Sequence, residues 1–354
     1  MNSRLSKYVL DFNNVWAEKC SNYNKLPNIL PKVERIIVIG DIHGDIKVLL
    51  ECLKKAKVID SNVKWTGSFD SIEWIGGKTV IVQVGDQIDS CRYDGAKSCN
   101  NPNNYEPDEP DDLNILFFMT TLHNKAQKKG GAVYSLMGNH ELMNVNGDLS
   151  YVSYSNIKHF SNYKTKDGEI IADGFTGRKH VFSPGNEIAN FLACTRNITL
   201  IIGSNLFVHA GIVPYITKKY NVHELNMLLK LFLFDELKNP KMFNDIFMSS
   251  KHSPLWTRVF GNPLQTKDKC DELMTPLKEV YMVGKIYVGH TPQIKTGITS
   301  ACDGKIWLTD AGMPSAFNKF DEKYINSKGK ENSVSRQAQV LEILDDGEKI
   351  TVLK

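Results

Sequence analysis

Five times along this chain a short apolar run gives way at once to metal-binding residue types set beside a glycine. The segments are IGDIHGD (39–45), VGDQIDS (84–90), MGNHE (137–141), FVHAG (207–211) and VGHT (288–291). An apolar run of this length reads as a buried strand. In open α/β sheets the carboxyl ends of the strands face one crevice, so residues far apart in sequence converge there. The pattern gathers Asp41, His43, Asp86, Asn139, His209 and His290. Asp41 and His43 stand two apart, which turns them to the same side of an extended strand end. A lone histidine at a strand end is usually a satisfied polar residue, and a lone Gly-Asp is usually a turn. Gly-Asn-His-Glu is more specific, and five such segments in one order argue for a site.

The donor set mixes imidazole with carboxylate or amide oxygen and contains no thiolate. Such ligands suit Mn, Fe or Zn better than a structural cysteine site or an all-oxygen calcium site. A single catalytic zinc takes three protein ligands. Six candidates serve two ions if one carboxylate bridges, and Asp86 is the choice for the bridge. Two ions roughly 3.5–4 Å apart clamp the attacking and leaving oxygens of an in-line displacement at phosphorus, and make hydroxide available near neutral pH. His140, next to a ligand, is free to act as general acid to the leaving oxygen. Asp89, three residues after Asp86, is placed to orient that ring and hold it protonated.

The remaining pattern predicts one α/β domain around this crevice. Residues 1–33 read as an N-terminal helical and irregular extension, with an amphipathic patch at Tyr8, Leu10, Phe12 and Trp16. Strands are expected at 35–40, 79–85, 132–138, 285–290 and 305–312, and a strand pair at 199–211 around Gly-Ser-Asn. Helical spacing marks 46–56, 111–131 and 222–238. The acidic stretch 91–112, with prolines at 102, 107 and 110, reads as a long loop. Residues 316–354 read as a polar tract followed by a hairpin around Asp-Asp-Gly, packed on the same domain.

Composition narrows the class of partner. The 43 basic and 40 acidic residues leave a net charge of +3, with no footprint for nucleic acid or an anionic membrane. No apolar run reaches the length of a membrane span, and the first residues lack the apolar centre of a secretory signal. Seven cysteines form no CxxC pair, and only Cys91 and Cys99 are near neighbours. This reads as reduced thiols in a cytoplasmic protein, with a loop disulfide between those two as the alternative. Lysines outnumber arginines 36 to 7, so each arginine near the site matters for planar, two-point recognition of phosphate.

The order GD-x-H-G, GD-x-x-D, GNHE, HAG and GHT resembles the calcineurin-like metallophosphoesterase superfamily on its phosphoprotein phosphatase side. GNHELMNVNGDLSYV (138–152), FSPG (182–185), PLWTR (254–258), VGHTPQ (288–293) and TDAGMP (309–314) are similar to the bacterial-type, Shewanella-like protein phosphatases. The likeness spans about residues 34–315. It implies an α/β fold, an αββα sandwich of two mixed β-sheets flanked by helices, with a two-metal centre that hydrolyses phosphate monoesters without a phosphoenzyme. By motif, Asp41, His43 and Asp86 hold the first ion, while Asp86, Asn139, His209 and His290 hold the second; His140 and Asp89 form the acid pair. Asn139, Arg258 and Arg92 are the candidates for the phosphate oxygens. Family members carry an arginine directly after the second Asp of GD-x-x-D. Ser90 stands there in this chain, and Arg92 is the candidate replacement.

The expected function is therefore hydrolysis of phosphoprotein side-chain phosphate, on Ser/Thr or Tyr. A dinucleoside polyphosphate hydrolase of the same superfamily needs base-stacking and polyphosphate-binding groups, for which 7 arginines and no basic cluster are poor material. A nuclease needs a basic groove. A degenerate phosphoprotein-binding scaffold finds support only in the displaced arginine. Asp45 and Asp148 read either as turn carboxylates or as supports of the ligands, and Trp256 as packing that positions the loop of Arg258.

Overall fold

The chain enters through helix α1 (Ser6–Lys19) and a two-residue strand β1 (Ile29–Leu30), and the first long apolar run then forms β2 (Arg35–Ile39). The computed structural model describes residues 5–92, 98–102, 109–318, 320 and 336–354. After β2 comes helix α2 (Ile46–Lys55), whose Ile46, Leu49, Leu50 and Leu53 lie on one buried face. Asp45 caps it, accepting from Val48 N–H at 3.0 Å and with its other oxygen from Ser315 N–H at 2.9 Å. Asp45 is thus committed to the frame and not to the site.

Strand β3 (Val80–Gln83) leads to α3 (Asp112–Gln127), and β4 (Ala132–Ser135) leads straight into α4 (Asn139–Val145). β2, β3 and β4 run parallel and carry no polar alternation, because both their faces are covered. Helix α5 (Tyr154–Lys158), a small ribbon of β5 (Tyr163–Lys164) with β6 (Ile170–Ile171), then α6 (Gly174–Phe182) and α7 (Glu187–Thr195) follow. β7 (Thr199–Ile202) and β8 (Asn205–Val208) form the expected hairpin. After α8 (Pro214–Thr217) and α9 (Val222–Leu233) come β9 (Lys285–Val288), β10 (Thr299–Ala301), β11 (Ile306–Leu308), β12 (Val340–Leu344) and β13 (Lys349–Leu353).

Among the described residues these strands form two mixed sheets, in the orders β1-β7-β8-β9-β11-β10 and β13-β12-β2-β3-β4. Alternation along β7 and β8 shows how they are layered. Leu200, Ile202 and Phe207 join the core made with β2, β3 and β4, while Ile201, Leu206 and Val208 join the core made with α7 and α9. The inter-sheet layer is thus shared, with helices outside it. Burying each such aliphatic side chain contributes about 1.5–3 kcal/mol. The C-terminal hairpin is more than an appendage: β12 lies antiparallel to β2, Leu341 opposite Val38 and Ile343 opposite Ile36. It thereby covers the edge of the strand that delivers Asp41 and His43.

The cysteines correct the sequence reading. Six of the seven are paired, as Cys20–Cys194, Cys91–Cys99 and Cys270–Cys302, and only Cys52 is a free thiol, buried. Separations of 174 and 32 residues hide two of these pairs from spacing arguments. Reduced thiols were the ground for a cytoplasmic location, and that ground is gone, since such bridges persist in oxidising compartments. No helix among the described residues is long and apolar enough to cross a membrane. Of the acidic stretch 91–112, residues 93–97 and 103–108 lie outside the described residues, as does most of the polar tract after 318.

Candidate active site

The carboxyl ends of β2, β3, β4, β8 and β9 converge, and each delivers its motif residue to one buried cluster. The glycines of the motifs are there because the strand ends crowd one another. A Cβ on Gly138 would sit 2.1 Å from Asp86 Oδ1, and one on Gly289 would sit 2.2 Å from Asp41 Oδ1. His43, Asp86, Asp89 and His290 all hold positive φ, at 43°, 53°, 74° and 65°. Non-glycine residues in that region cost energy and cluster at sites where the surroundings impose the geometry.

Two trios share one carboxylate: His43, Asp86 and His140, and Asp86, His209 and His290. Asp86 Oδ2 lies 3.3 Å from His209 Nε2, 3.8 Å from His43 Nε2 and 3.9 Å from His140 Nε2. Asp41 Oδ2 stands 3.9 Å from His43 Nε2 and accepts from His290 N–H at 3.0 Å. By proximity His140 joins the first trio where the sequence placed Asp41. Its Nδ1 pairs with Asp89 Oδ2 at 2.8 Å, a carboxylate partner that suits a metal-bound imidazole as well as an acid; it is the motif resemblance that places His140 in the acid pair and Asp41 among the ligands.

The other histidines are aimed by backbone carbonyls. His43 Nδ1–H donates to Ile88 O at 3.2 Å and His209 Nδ1–H to Val84 O at 2.9 Å, which turns each Nε2 lone pair into the cluster. His290 is reversed: Nε2–H donates to Trp256 O at 3.1 Å and Nδ1 faces inward. Trp256 therefore positions His290 through its carbonyl. Asn139 Oδ1 lies 2.9 Å from His209 Nε2 and 2.8 Å from His290 Nδ1. Three acceptor atoms thus meet at contact distance. Asp41 Oδ1 and Asp310 Oδ2 are also buried with no hydrogen-bond partner. Acceptors repel one another and buried polar atoms require partners, so this donor set fits cations. Asp41, His43 and Asp86 would hold one, and Asp86, Asn139, His209 and His290 the other.

The electrostatics show which of these donors a proton contests. Burial, with the charges of Asp310 and Asp86, pushes the Asp41 carboxyl well above its usual range. Burial would raise Asp86 too, but its neighbours, His209 first by charge and hydrogen bond, outweigh it and hold Asp86 well below. Burial lowers His43, helped by Arg92 and His140, and lowers His290, helped by His209 and Arg258. Both rings are therefore neutral and ready to ligate. At His209 the Asp86 charge overcomes burial and raises the pKa, so a proton competes with a cation there.

The rim holds the two arginines. Arg92 Nη1 donates to Asp89 O at 3.0 Å and Cys91 O at 2.8 Å, and its guanidinium lies 4.6 Å over the Phe317 ring and 5.6 Å from that of Tyr151. The two-residue displacement therefore still leaves Arg92 against the acid pair. Arg258 is exposed and donates to His290 O at 2.9 Å and Thr291 Oγ1 at 3.3 Å. The Tyr151 ring meets that of His140 edge-on at 5.0 Å, and Tyr151 also lines a cavity of about 460 Å³ with Asp148 and Phe175. Asp148 is exposed, accepts from Ser150 N–H at 3.0 Å and touches no ligand.

Glu141 and Asp310 stand inside the motifs, yet their roles emerge only from the fold. Glu141 accepts from four backbone amides, those of Asp86, Gln87, Ile88 and Gly138, and so ties the GD-x-x-D turn to the GNHE turn. Burial and the Asp86 charge push its carboxyl up to about 7. The buried Asp310, pushed up to about 6 by burial first, backs Asp41. Its signal was the acid directly after a strand in KIWLTDAG, the same grammar as the five motifs.

Two mixed sheets with a shared ring of imidazole, carboxylate and amide donors at their strand ends define a metallophosphoesterase. Residues 34–293 match the calcineurin-like phosphoesterase model, and the chain belongs to that family, as a metal-binding hydrolase of phosphoric monoesters. An uncharacterised protein of Acanthamoeba polyphaga mimivirus is 38% identical over 255 residues, covering 65% of this chain and 96% of the relative. Shewanella-like protein phosphatase 1 of Plasmodium berghei is 30% identical over 332 residues, 91% of this chain and 79% of the relative. Shewanella-like protein phosphatase 2 of Arabidopsis thaliana is 27% identical, covering 80% and 72%. Among solved structures, a cold-active protein tyrosine phosphatase superposes with a TM-score of 0.64 at 22% identity, covering 96% of this chain and 83% of its own, a likeness of fold.

Proposed function

We propose that this chain is a phosphoprotein phosphatase that works with two metal ions. The observation that carries the reading is the shared Asp86 carboxylate, whose Oδ2 lies 3.3 Å from His209 and 3.8 Å from His43 and so belongs to both donor groups. The relatives named as protein phosphatases support the substrate class. Mn²⁺ is the ion to load in vitro, and Fe or Zn suits the same donors. When bound, two such ions neutralise phosphate charge and lower the pKa of the attacking water.

The protein's own groups do the rest. Arg258, against the His290 backbone, and Arg92, against the Asp89 backbone, are the planar donors for the phosphate oxygens, with the Asn139 amide as a third candidate. His140 gives its Nε2 proton to the departing side-chain oxygen. The Nδ1–H bond to Asp89 fixes which nitrogen faces substrate. The edge of Tyr151 against His140 keeps water from one flank of that ring.

The test is phosphate release from matched phosphotyrosine and phosphoserine/phosphothreonine peptides by chelated protein reloaded with Mn²⁺. Metal-dependent release is expected, and the preferred peptide assigns the residue class. Release from dinucleoside polyphosphates faster than from every peptide would overturn the phosphoprotein reading.

A further inference from the structure

Behind the acid pair lies a buried polar relay with no place in the ligand set. Asn144 stands one turn after His140 on α4 and so shares its face. Its Nδ2 donates to Asp89 Oδ1 at 2.9 Å and to His140 O at 3.0 Å. Its Oδ1 accepts from Arg178 Nε at 2.8 Å. Arg178, on α6, has no accessible surface and lies between the Phe160 and Phe182 rings, 5.4 and 4.8 Å from its guanidinium. Its Nη2 donates to Asp112 Oδ2 at 2.7 Å and lies 3.6 Å from Asp89 Oδ1. Asp112, the first residue of α3, accepts from the Asp89 backbone N–H through Oδ1 at 3.1 Å.

We propose that Asn144, Arg178 and Asp112 are positioning residues that lock the Asp89 carboxylate, and through it the His140 ring, in the orientation proton donation requires. The inference rests on the reading of His140 as the acid. An amide side chain has a donor end and an acceptor end, and arginine can only donate. Arg178 therefore dictates that the donor end of Asn144 faces Asp89. Asp112 holds the other side of the same residue, whose φ of 74° needs an anchor. The relay thus fixes Asp89 at backbone and carboxylate together. Stability alone does not call for it: a buried ion pair gains little over apolar packing of equal volume.

Loss of orientation should matter only where the leaving oxygen needs a proton. With Mn²⁺-loaded protein, kcat would be measured for Asn144→Ser and Arg178→Lys on aryl phosphates from dinitrophenyl to phenyl. We expect a fall of about tenfold or more for phenyl phosphate and less than about twofold for dinitrophenyl phosphate, with KM and metal content unchanged. An equal fall across the series, or none, overturns the proposal. Asn144→Ser is the smaller change and decides alone if Arg178→Lys does not fold. Should wild type hydrolyse none of these esters, the phosphatase reading falls. The relay is then judged by the ¹H–¹⁵N resonance of His140 Nδ1–H. Protection in wild type and its loss in Asn144→Ser support the relay; the same resonance in both contradicts it.

Discussion

On the floor of the site, Asp41, Asp86, Asn139, His209 and His290 sit one to four residues past a strand end and are at most 5% exposed. At the rim, Arg92 and Arg258 come from loops, held by backbone carbonyls and aromatic faces, and Arg258 is exposed. The floor is placed by strand register, glycine contacts and one carboxylate, Glu141, that grips two turns at once. Its geometry is set by the fold, whereas that of the rim is set by where loops happen to return. A ligand ring of this kind cannot drift by a residue without breaking the sheet. An arginine at position 92 instead of 90 still touches Asp89.

Substitutions should separate the two regions sharply. Asp86→Asn strikes the floor at the carboxylate both trios share, and turnover of an aryl phosphate should fall by about a thousandfold or more. His140→Ala should cost about 10²–10⁴-fold in kcat while metal content stays at the wild-type level. Loss of one ion from that variant would move His140 into the ligand set and redraw the boundary between floor and acid pair. At the rim, Arg92→Ala and Arg258→Ala should each lower kcat/KM by roughly tenfold to a hundredfold, the value of a charge-assisted hydrogen bond. Unchanged kcat/KM in both would remove the rim from phosphate binding.

The smallest effect concerns stability, where the floor stores cost and the rim does not. Asp310 is pushed up to about 6, so the folded protein holds a proton there that the unfolded chain has released above its ordinary 3.8. The folded state then binds more protons between those values. Its stability falls as pH rises through that window, and the full penalty remains above it. Asp310→Asn should therefore stabilise chelated protein at pH 7 by about 1–3 kcal/mol, a gain that vanishes as pH falls toward the ordinary carboxylate value. Urea unfolding at several pH values reads this directly. Arg258→Ala should change stability by less than about 0.5 kcal/mol.

The same contrast explains what could be read in advance. The convergence of the floor residues was legible because each stands one short step from an apolar run, so local sequence carries its position. Apolar runs also located β2, β3, β4, β8 and β9. The insertion of β12 beside β2 was hidden, since Leu341 and Val38 meet across most of the chain. Arg178 was hidden for the same reason: nothing local announces that a helical arginine will meet Asn144 and Asp112. Cys20 and Cys194 are brought within disulfide reach only by tertiary packing. Asp310 shares the grammar of an acid just past an apolar run, in KIWLTDAG.

The most direct test of the two-ion floor is native mass spectrometry of the intact protein after Mn²⁺ loading, for wild type and for Asp86→Asn. Two ions per wild-type chain are expected, with weakened retention of both in the variant. Two ions held by Asp86→Asn at wild-type affinity would contradict the shared carboxylate and the site built around it.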